Sequence, residues 1–360
     1  MKPEILHLYA WDVAFEIPLD AARGSLAHAG EKTLLPEKAA PRGSAPERFL
    51  HLPLPAVQAG DLSIDISANL YSFGVVCLTL RYAASGSSLA DFVPHHDFPL
   101  QGGDTLNSLA RKALDHVLAR IAPLLTRHAI NPEEPEAYTI FRFTPEDLGL
   151  SDAATWLDSN RREAAALLTG ESDSGRLSGQ EVEETFRHTF SYYRDDLVVV
   201  DWEAALIVER GPAADVLGVF ELANLQLVEY RHYDAELDRV VGRAYDDLER
   251  FYRRPTFVFG AGELLKDLRE IRISLSEVAE EIDNATKFFG DWHLARQYIG
   301  CAARFHIPEW KASVEEKLKA LDELYNLAAT ESGNRKMLIL EVIIVILFVV
   351  DLVVLAFATK

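Results

Sequence analysis

The chain contains few cysteines and no closely spaced pair of them. Cys77 and Cys301 are far apart, and each lies in an apolar context. Disulfide scaffolds and structural zinc sites need clustered cysteines, so both classes are excluded, and this usage is typical of a reducing compartment. The first residues lack a basic segment followed by an apolar run, unlike a secretory signal peptide. We therefore expect most of the chain to stay in the cytoplasm.

Basic residues are scarce relative to acidic ones. The 360 residues include 36 Lys and Arg against 56 Asp and Glu, which gives a formal net charge of −20. Such a surface repels the phosphate backbone of nucleic acids unless a basic patch is present. The best cluster, Arg250, Arg253 and Arg254, falls at the end of a predicted helix, where cations interact favourably with the helix dipole. We expect no nucleic-acid partner.

Recognised catalytic motifs are also missing. The sequence has no phosphate-binding P-loop, no GxGxxG after a strand, no GxSxG and no HExxH. His95 and His96 are adjacent and so point in different directions, and no third ligand has a suitable spacing. We therefore predict no catalytic residue, no cofactor and no metal.

The first part of the chain, residues 1–211, has an α+β pattern. Residues 5–17 alternate well enough for one strand, and residues 62–82 form two β-rich runs with Gly74 between them, where a bulge or bend would need glycine. Residues 104–127 form an amphipathic helix, and Ser178 with Glu181 has the spacing of a capping box. We predict a sheet with helices packed on one face.

Residues 212–332 are predominantly helical. A helical period extends from residue 215 to about residue 254, and a second helix then carries an apolar seam at 4-3 spacing. The seam consists of Leu264, Leu268, Ile271, Leu275, Val278 and Ile282. The two long helices either pair with each other as a hairpin or pair between subunits as a coiled coil, and the two arrangements are compatible. Shorter helices are predicted at 291–305 and 309–329.

Residues 337–358 are almost entirely apolar. A run of about 20 apolar residues is long enough to cross a bilayer core as a helix. We therefore predict a transmembrane helix that anchors the protein to the lipid bilayer by its tail. Arg335 and Lys336 precede the run and only Lys360 follows it. The positive-inside rule then places the protein in the plasma (inner) membrane as a single-pass protein, with most of the chain in the cytoplasm.

Two acids, Glu341 and Asp351, interrupt the apolar run. Glu341 lies close enough to the first turn to reach the interface by snorkelling, whereas Asp351 is near the middle. Asp351 can be accommodated if it is protonated or if it forms hydrogen bonds across a helix–helix interface. We favour a homo-oligomer formed through this face over a proton or ion path, because one isolated helix per chain is a poor conduit. The alternative is that the tail forms the core of a soluble oligomer.

The tail also resembles a known family. Leu340-Glu341, the Ile-rich run and Asp351 resemble the C-terminal signature of the required-for-meiotic-nuclear-division family, also called YagE-like. Residues 289–292, 316–318 and 71–76 are similar to further segments of that family. Val342 stands where the family has Trp, and Asp351 where it has Glu. The resemblance implies a divergent, membrane-anchored, oligomeric protein of no established catalytic activity.

Several polar residues are candidates for a site between the 215–254 helix and the sheet. They are Glu221, Asn224, Glu229, Asp201 and Trp202. Glu221 and Asn224 share a helix face, and acids at strand ends can bind a divalent ion or act as acid and base. Alternatively, the helix residues form a buried hydrogen-bond network and the strand-end acids form turns.

Two functions follow from these patterns. The first is a non-catalytic cytoplasmic scaffold or assembly factor anchored in the membrane. The second is a membrane-tethered enzyme, or a sensor of a small ligand or metal, that uses the polar pocket. A seam exposed along residues 264–289 would favour the scaffold, and an acid-lined pocket would favour the sensor. The sequence identifies no protein partner.

Overall fold

The structure, a computed structural model, describes residues 1–27, 49–60, 62–100, 103–128, 135–253, 273 and 292–358. Within the two longest helices it describes no side chain at 247–248, 250–253, 325, 327–336, 338–340 or 348–358. The six residues of the predicted seam, from Leu264 to Ile282, lie outside the described residues. The side chain of Asp351 does so too.

Short β-strands dominate the first 210 residues. Their bounds are β1 Glu4–Asp12, β2 Ala14–Glu16, β3 Phe49–Ala59, β4 Leu62–Tyr71, β5 Val75–Ala83, β6 Thr126–His128, β7 Glu136–Phe143, β8 His188–Phe190, β9 Leu197–Val200 and β10 Ala204–Val208. The single strand predicted over residues 5–17 is thus two strands. The chain bends at Val13, where the backbone N–H groups of Val13 and Ala14 donate to the Gly74 carbonyl.

One large sheet contains most of these strands. Within the described residues its order is β3-β4-β5-β1-β7-β10-β9-β8, and β2 pairs with β6 separately. The pairing of β7 with β10 is parallel, and the other pairs within the described part of this sheet are antiparallel. The central strands β1 and β7 place His7 opposite Thr139. This pair lies at the middle of the sheet.

Helices lie between the strands along the chain and, after β10, continue to the C-terminal end of the described residues. Their bounds are α1 Leu19–Ala27, α2 Leu106–Ile121, α3 Pro145–Leu148, α4 Ala153–Thr169, α5 Gly179–Thr185, α6 Ala214–Arg253, α7 Trp292–Arg304 and α8 Ile307–Ala358. Short 3-10 helices lie at Leu89–His96, Ala122–Leu124 and Ser174–Arg176. The helix predicted over 309–329 does not end there, because α8 continues through the polar stretch into the apolar run.

Side-chain caps explain where several helices begin. The Thr105 hydroxyl accepts from the Ser108 N–H, and the Ser108 hydroxyl accepts from the Thr105 N–H, which forms a capping box before α2. The predicted cap at Ser178 is also present, because its hydroxyl accepts from the Glu181 N–H at 3.1 Å. Such caps satisfy backbone donors that a helix leaves free in its first turn.

Helices cover both faces of the sheet, which corrects the prediction of helices on one face. On one face, Phe141 and Phe143 of β7 contact His96 and Phe92 of the first 3-10 helix. Tyr138, at an odd spacing from both, projects to the other face and stacks on Phe220 of α6. Side chains alternate along a strand, so β7 is buried from both sides. The sequence predicts that α6 belongs to a separate domain that begins at residue 212, yet Phe220 in its first turns packs on the sheet.

The chain divides into two compact units. The first consists of Met1–His232 and Ser276–Trp310, and it contains the sheet, the beginning of α6 and all of α7. The second consists of Tyr233–Leu275 and Lys311–Lys360. The domain limits predicted from the sequence, 1–211, 212–332 and 337–358, stay a prediction.

In the second unit, the later turns of α6 contact α8. The Lys317 ammonium lies 2.9 Å from Asp234 Oδ1 and 2.6 Å from Asp238 Oδ1, and the Ser313 hydroxyl donates to Asp234 at 2.6 Å. Apolar residues of both helices, including Leu237 and Leu321, are fully buried. The contact therefore combines a charged rim with an apolar interior.

Further along α8, apolar side chains are exposed. Residues 342–347 are between 48% and 61% exposed, and Glu341 is exposed beside them. Six consecutive residues cover every face of a helix, so no described neighbour covers this stretch. Among the residues described, no helix is both long enough and apolar enough to cross a membrane. The transmembrane helix predicted at 337–358 is therefore not supported.

Gly74 tests the close packing of the β4–β5 turn against the bend between β1 and β2. Its φ is +98°, and a Cβ on it would lie 1.6 Å from the Ala14 carbonyl oxygen. We expect Gly74→Ala to lower the free energy of unfolding by about 2 kcal/mol or more, since it combines backbone strain with a clash. Urea unfolding followed by tryptophan fluorescence measures this change.

The matched control is Gly24→Ala in α1, where an added Cβ meets no described atom within 4 Å. Alanine is the better helix former, so this change should be neutral or stabilise by about 0.5–1 kcal/mol. Equal effects of the two substitutions would contradict the described turn.

Candidate functional site

A cavity of about 410 Å³ lies in the first unit, beside strands β1 and β7, and residues from both faces of these strands line it. β1, β7, α6, the turn between β9 and β10, and the end of the first 3-10 helix all contribute to its wall. The lining residues are His7, Tyr9, His96, Asp97, Glu136, Ala137, Tyr138, Thr139, Trp202, Glu203, Asn224, Leu227, Arg231 and Phe305. Small-molecule sites commonly have volumes of roughly 300–1,000 Å³.

The interior of the cavity contains a chain of hydrogen bonds around His7. The Thr139 hydroxyl lies 3.1 Å from His7 Nδ1, and the Tyr82 hydroxyl lies 3.2 Å from His7 Nε2. The same tyrosine hydroxyl is 3.3 Å from His95 Nδ1. Burial above all, together with the nearby His96 and His95, lowers the pKa of His7 to about 3. His7 is therefore a neutral imidazole near pH 7, able to donate one hydrogen bond and accept another.

Tyr138 and Asn224 form a rigid part of the wall. The Tyr138 hydroxyl is 3.0 Å from the Asp201 carbonyl oxygen and 2.9 Å from that of Ala204. Its ring stacks on Phe220 and meets Phe305 edge-on. The Asn224 amide donates to the Phe220 carbonyl at 3.0 Å, and this residue is 98% buried. These bonds hold α6, the β9–β10 turn and the end of α7 around one ring.

The mouth of the cavity is charged. Arg231 forms an ion pair with Glu136, and its guanidinium lies 5.7 Å from the Trp310 ring centroid. Burial raises the pKa of Glu136, while Arg231 acts in the opposite direction. Asp97 and Glu203 are exposed and form no ion pair with any residue that the structure describes. The mouth therefore carries two acids whose charge is not neutralised by a described partner.

An ion-pair network supports the β9–β10 turn from behind. Arg304, at the end of α7, lies 3.0 Å from Glu184 and forms a very short contact with Asp201. The Asp201 side chain is only 5% exposed and that of Arg304 15%. A buried carboxylate requires such a partner, because removal from water disfavours its charge. The pair fixes the turn that carries Trp202 and Glu203.

The five predicted pocket residues do not all meet at the cavity. Asn224 and Trp202 line it. Glu221 instead accepts from the Asn69 amide at 2.6 Å and the Tyr71 hydroxyl at 2.8 Å, over strand β4. Asp201 forms the ion pair with Arg304, and Glu229 is buried in α6. The α6 residues are thus split between a hydrogen-bond network and a cavity wall.

The sequence interpretation missed most of the cavity. No motif in the sequence singles out His7 and Tyr9 of β1 or Glu136 and Thr139 of β7, and the two strands are far apart in the chain. Arg231 belongs to the polar run of the 215–254 helix, but its position at the cavity required the structure. The available signal was a polar residue inside an apolar strand: His7 and Thr139 interrupt the apolar runs of β1 and β7. Their register as opposite residues required the structure.

Of the two adjacent histidines, His96 lines the cavity and His95 is not among the lining residues. His96 Nε2 is 2.6 Å from the Leu167 carbonyl oxygen, which only accepts, so this nitrogen donates. His95 contacts Tyr82 instead. No group of three or more metal-ligating side chains is found among the described residues.

The sheet-bearing part of the chain matches a known family. Residues 2–214 match the family described as the N-terminal domain of uncharacterized protein MJ0711. The chain belongs to this family. The uncharacterized protein MJ0711 of Methanocaldococcus jannaschii is 23% identical over 219 residues. The matched region covers 61% of this chain and 65% of that protein. No solved structure matches the chain.

The family match changes the interpretation of the tail resemblance. The family match covers β1 to β10, including the strands that line the cavity, and ends at the start of α6. Membership in an uncharacterised-domain family is thus shown, but the YagE-like name is not supported. The residues of α6 that line the cavity, among them Asn224 and Arg231, lie just beyond the matched region.

Arg304 provides a test of the support behind the cavity. We expect Arg304→Met to lower the free energy of unfolding by about 3–5 kcal/mol, because it leaves the buried Asp201 carboxylate without its cation. The measurement is urea unfolding of the full chain at neutral pH.

Arg210→Met is the matched control. Arg210 also contacts two acids, Glu146 and Asp195, but its side chain is 64% exposed, so water and salt replace the contacts at little cost. A loss at Arg304 as small as that at Arg210 would show that the Asp201 pair does not support the turn.

Proposed function

We propose that this protein is a membrane-tethered sensor that binds a small polar ligand in the cavity beside β1 and β7. The observation that carries the proposal is the placement of buried polar side chains along an open cavity. His7, Thr139 and Asn224 are each at least 93% buried, and all three line it. Polar groups are costly to bury unless they find partners, and a ligand can provide further ones.

The sequence hypotheses set a criterion that favours this function. An acid-lined pocket was the feature expected of a sensor, and the cavity mouth contains Asp97, Glu136 and Glu203. The exposed seam expected of a scaffold, over residues 264–289, lies outside the described residues. Binding at the cavity is therefore the function that the described geometry favours.

The membrane tether is the second part of the proposal. Its support is the apolar sequence from residue 337 to 358 together with the exposure of residues 342–347. Apolar side chains exposed on all faces of a helix require an apolar environment, which a bilayer provides. In this proposal the tail crosses the plasma (inner) membrane, with the cavity on the cytoplasmic side.

A scaffold or assembly factor is the second candidate function. The same exposed apolar residues favour it, since a second copy of the helix would also cover them. In that case Glu341 and Asp351 would form hydrogen bonds between subunits of a homo-oligomer. The two candidates differ in whether the cavity is occupied.

Ligand binding is tested by filling the cavity. Ala137 is exposed on β7 and lines the cavity, so Ala137→Trp places a large ring in it. The full chain in detergent is heated with a panel of amino acids, nucleosides, sugars, amines and carboxylates. We expect at least one class to raise the melting temperature of the wild type but not that of Ala137→Trp.

Ala83→Trp, at an exposed position of β5 that does not line the cavity, is the matched control and should respond as the wild type does. The binding proposal is wrong if no class stabilises the wild type, or if Ala137→Trp responds as strongly as Ala83→Trp.

The tether is tested by fractionation. The full chain and a truncation that ends at Ser332 are expressed, and membranes are washed with alkaline carbonate. We expect the full chain to remain in the pellet and the truncation to be soluble, because carbonate removes peripheral proteins but not spanning helices. A full chain that is soluble without detergent would rule out the anchor, and its oligomer mass would then favour the scaffold.

A further inference from the structure

We propose that the ligand of the cavity is a small organic cation, such as a quaternary or primary amine. This inference rests on the proposed binding function and adds the chemical class. It follows from three properties of the site: uncompensated negative charge at the mouth, aromatic rings along the wall, and a neutral polar interior.

The charge at the mouth favours a cation. Arg231 is the only Lys or Arg among the lining residues, and it is already paired with Glu136. Asp97 and Glu203 both line the cavity, are exposed and have no cationic partner among the described residues. Acids around an opening raise the local concentration of cations and repel anions. An anionic ligand would have to displace Glu136 from Arg231 while facing two other acids.

The aromatic rings provide the second argument. Trp202 is 47% exposed at the mouth, and Tyr138, Tyr9 and Phe305 line the wall. The face of an aromatic ring attracts ammonium groups. Tyr138 and Tyr9 are already stacked on Phe220 and Trp11, so the exposed Trp202 ring would provide this contact. The acids next to these rings would strengthen the binding of an ammonium group and would have little effect on a neutral aromatic ligand.

The interior provides the third argument. His7 is neutral near pH 7 and bonded to Thr139, so these two buried polar side chains of the lining carry no net charge. They suit a hydroxyl or another uncharged polar group at the far end of the ligand. A bare metal ion is a poorer fit, since no group of three or more suitable ligands exists in the described part of the chain. The site thus combines a cationic end at the mouth with a neutral polar end inside.

The test compares each cation with a neutral molecule of the same shape. Choline is paired with 3,3-dimethylbutan-1-ol, and ethanolamine with propan-1-ol. Isothermal titration calorimetry is done on the full chain in detergent. We expect at least one cation to bind at least tenfold more tightly than its neutral partner. Binding should weaken as salt increases, because the acids at the mouth are exposed.

Variants locate the binding. We expect the double variant Asp97→Asn with Glu203→Gln to lose at least tenfold in affinity for the cation. The matched control is Asp65→Asn with Asp158→Asn, which removes two exposed acids away from the cavity and should leave affinity unchanged. Equal binding of cation and neutral partner, or full affinity in the first double variant, would overturn the proposal.

The outcomes also separate this inference from the proposed function. If neither cation binds but another class in the wider panel stabilises the wild type and not Ala137→Trp, the cation proposal is wrong and the binding function holds. If no class stabilises the protein, both are wrong. If a cation binds equally well to Ala137→Trp, it binds elsewhere, and the cation proposal is wrong.

Discussion

The architecture of the first unit depends on one aromatic ring at the middle of the sheet. Tyr138 stacks on Phe220 of α6 and meets Phe305 beyond α7, while its hydroxyl bonds to two carbonyls of the β9–β10 turn. A single side chain thus joins the sheet, two helical segments and the turn. Because interiors are close-packed, such a shared contact positions all of its neighbours together. The cavity is the space left beside this contact, and its walls are therefore fixed relative to each other.

Charge is arranged differently behind the cavity and in front of it. Behind the turn, Arg304 neutralises the buried Asp201. Loss of either side chain would leave the other charge buried without a partner and would destabilise the turn. In front, Asp97 and Glu203 face water, where ionised acids need no partner. These two exposed acids, in a chain of net charge −20, are the basis of the proposed preference for a cation.

Local features of the fold could be predicted from the sequence, whereas long-range ones could not. The cap at Ser178 and the bend at Gly74 depend on neighbouring residues, and both are present. The sequence did not predict helices on the second face of the sheet. The helical period of α6 is continuous, so it does not show that the first turns pack on the sheet and the later turns on α8. Asn224 could be assigned to the site from the sequence, because it shares a helix face with Glu221. His7 could not, because its register with β7 is set by strand pairing. Asp97 and Glu203, the exposed acids of the cavity, are far apart in the sequence, and only the fold places both in the lining.

The most direct measurement is fluorine NMR of the full chain labelled with 5-fluorotryptophan and titrated with choline. The resonance of Trp202 is assigned by its loss in Trp202→Phe, and Trp11, which is 1% exposed in the core, is the internal reference. A ligand held at the mouth should shift the Trp202 resonance to saturation and leave that of Trp11 unchanged. If Trp202 does not respond to choline, ethanolamine or any class in the wider panel, the cavity is not a ligand site and the account is wrong.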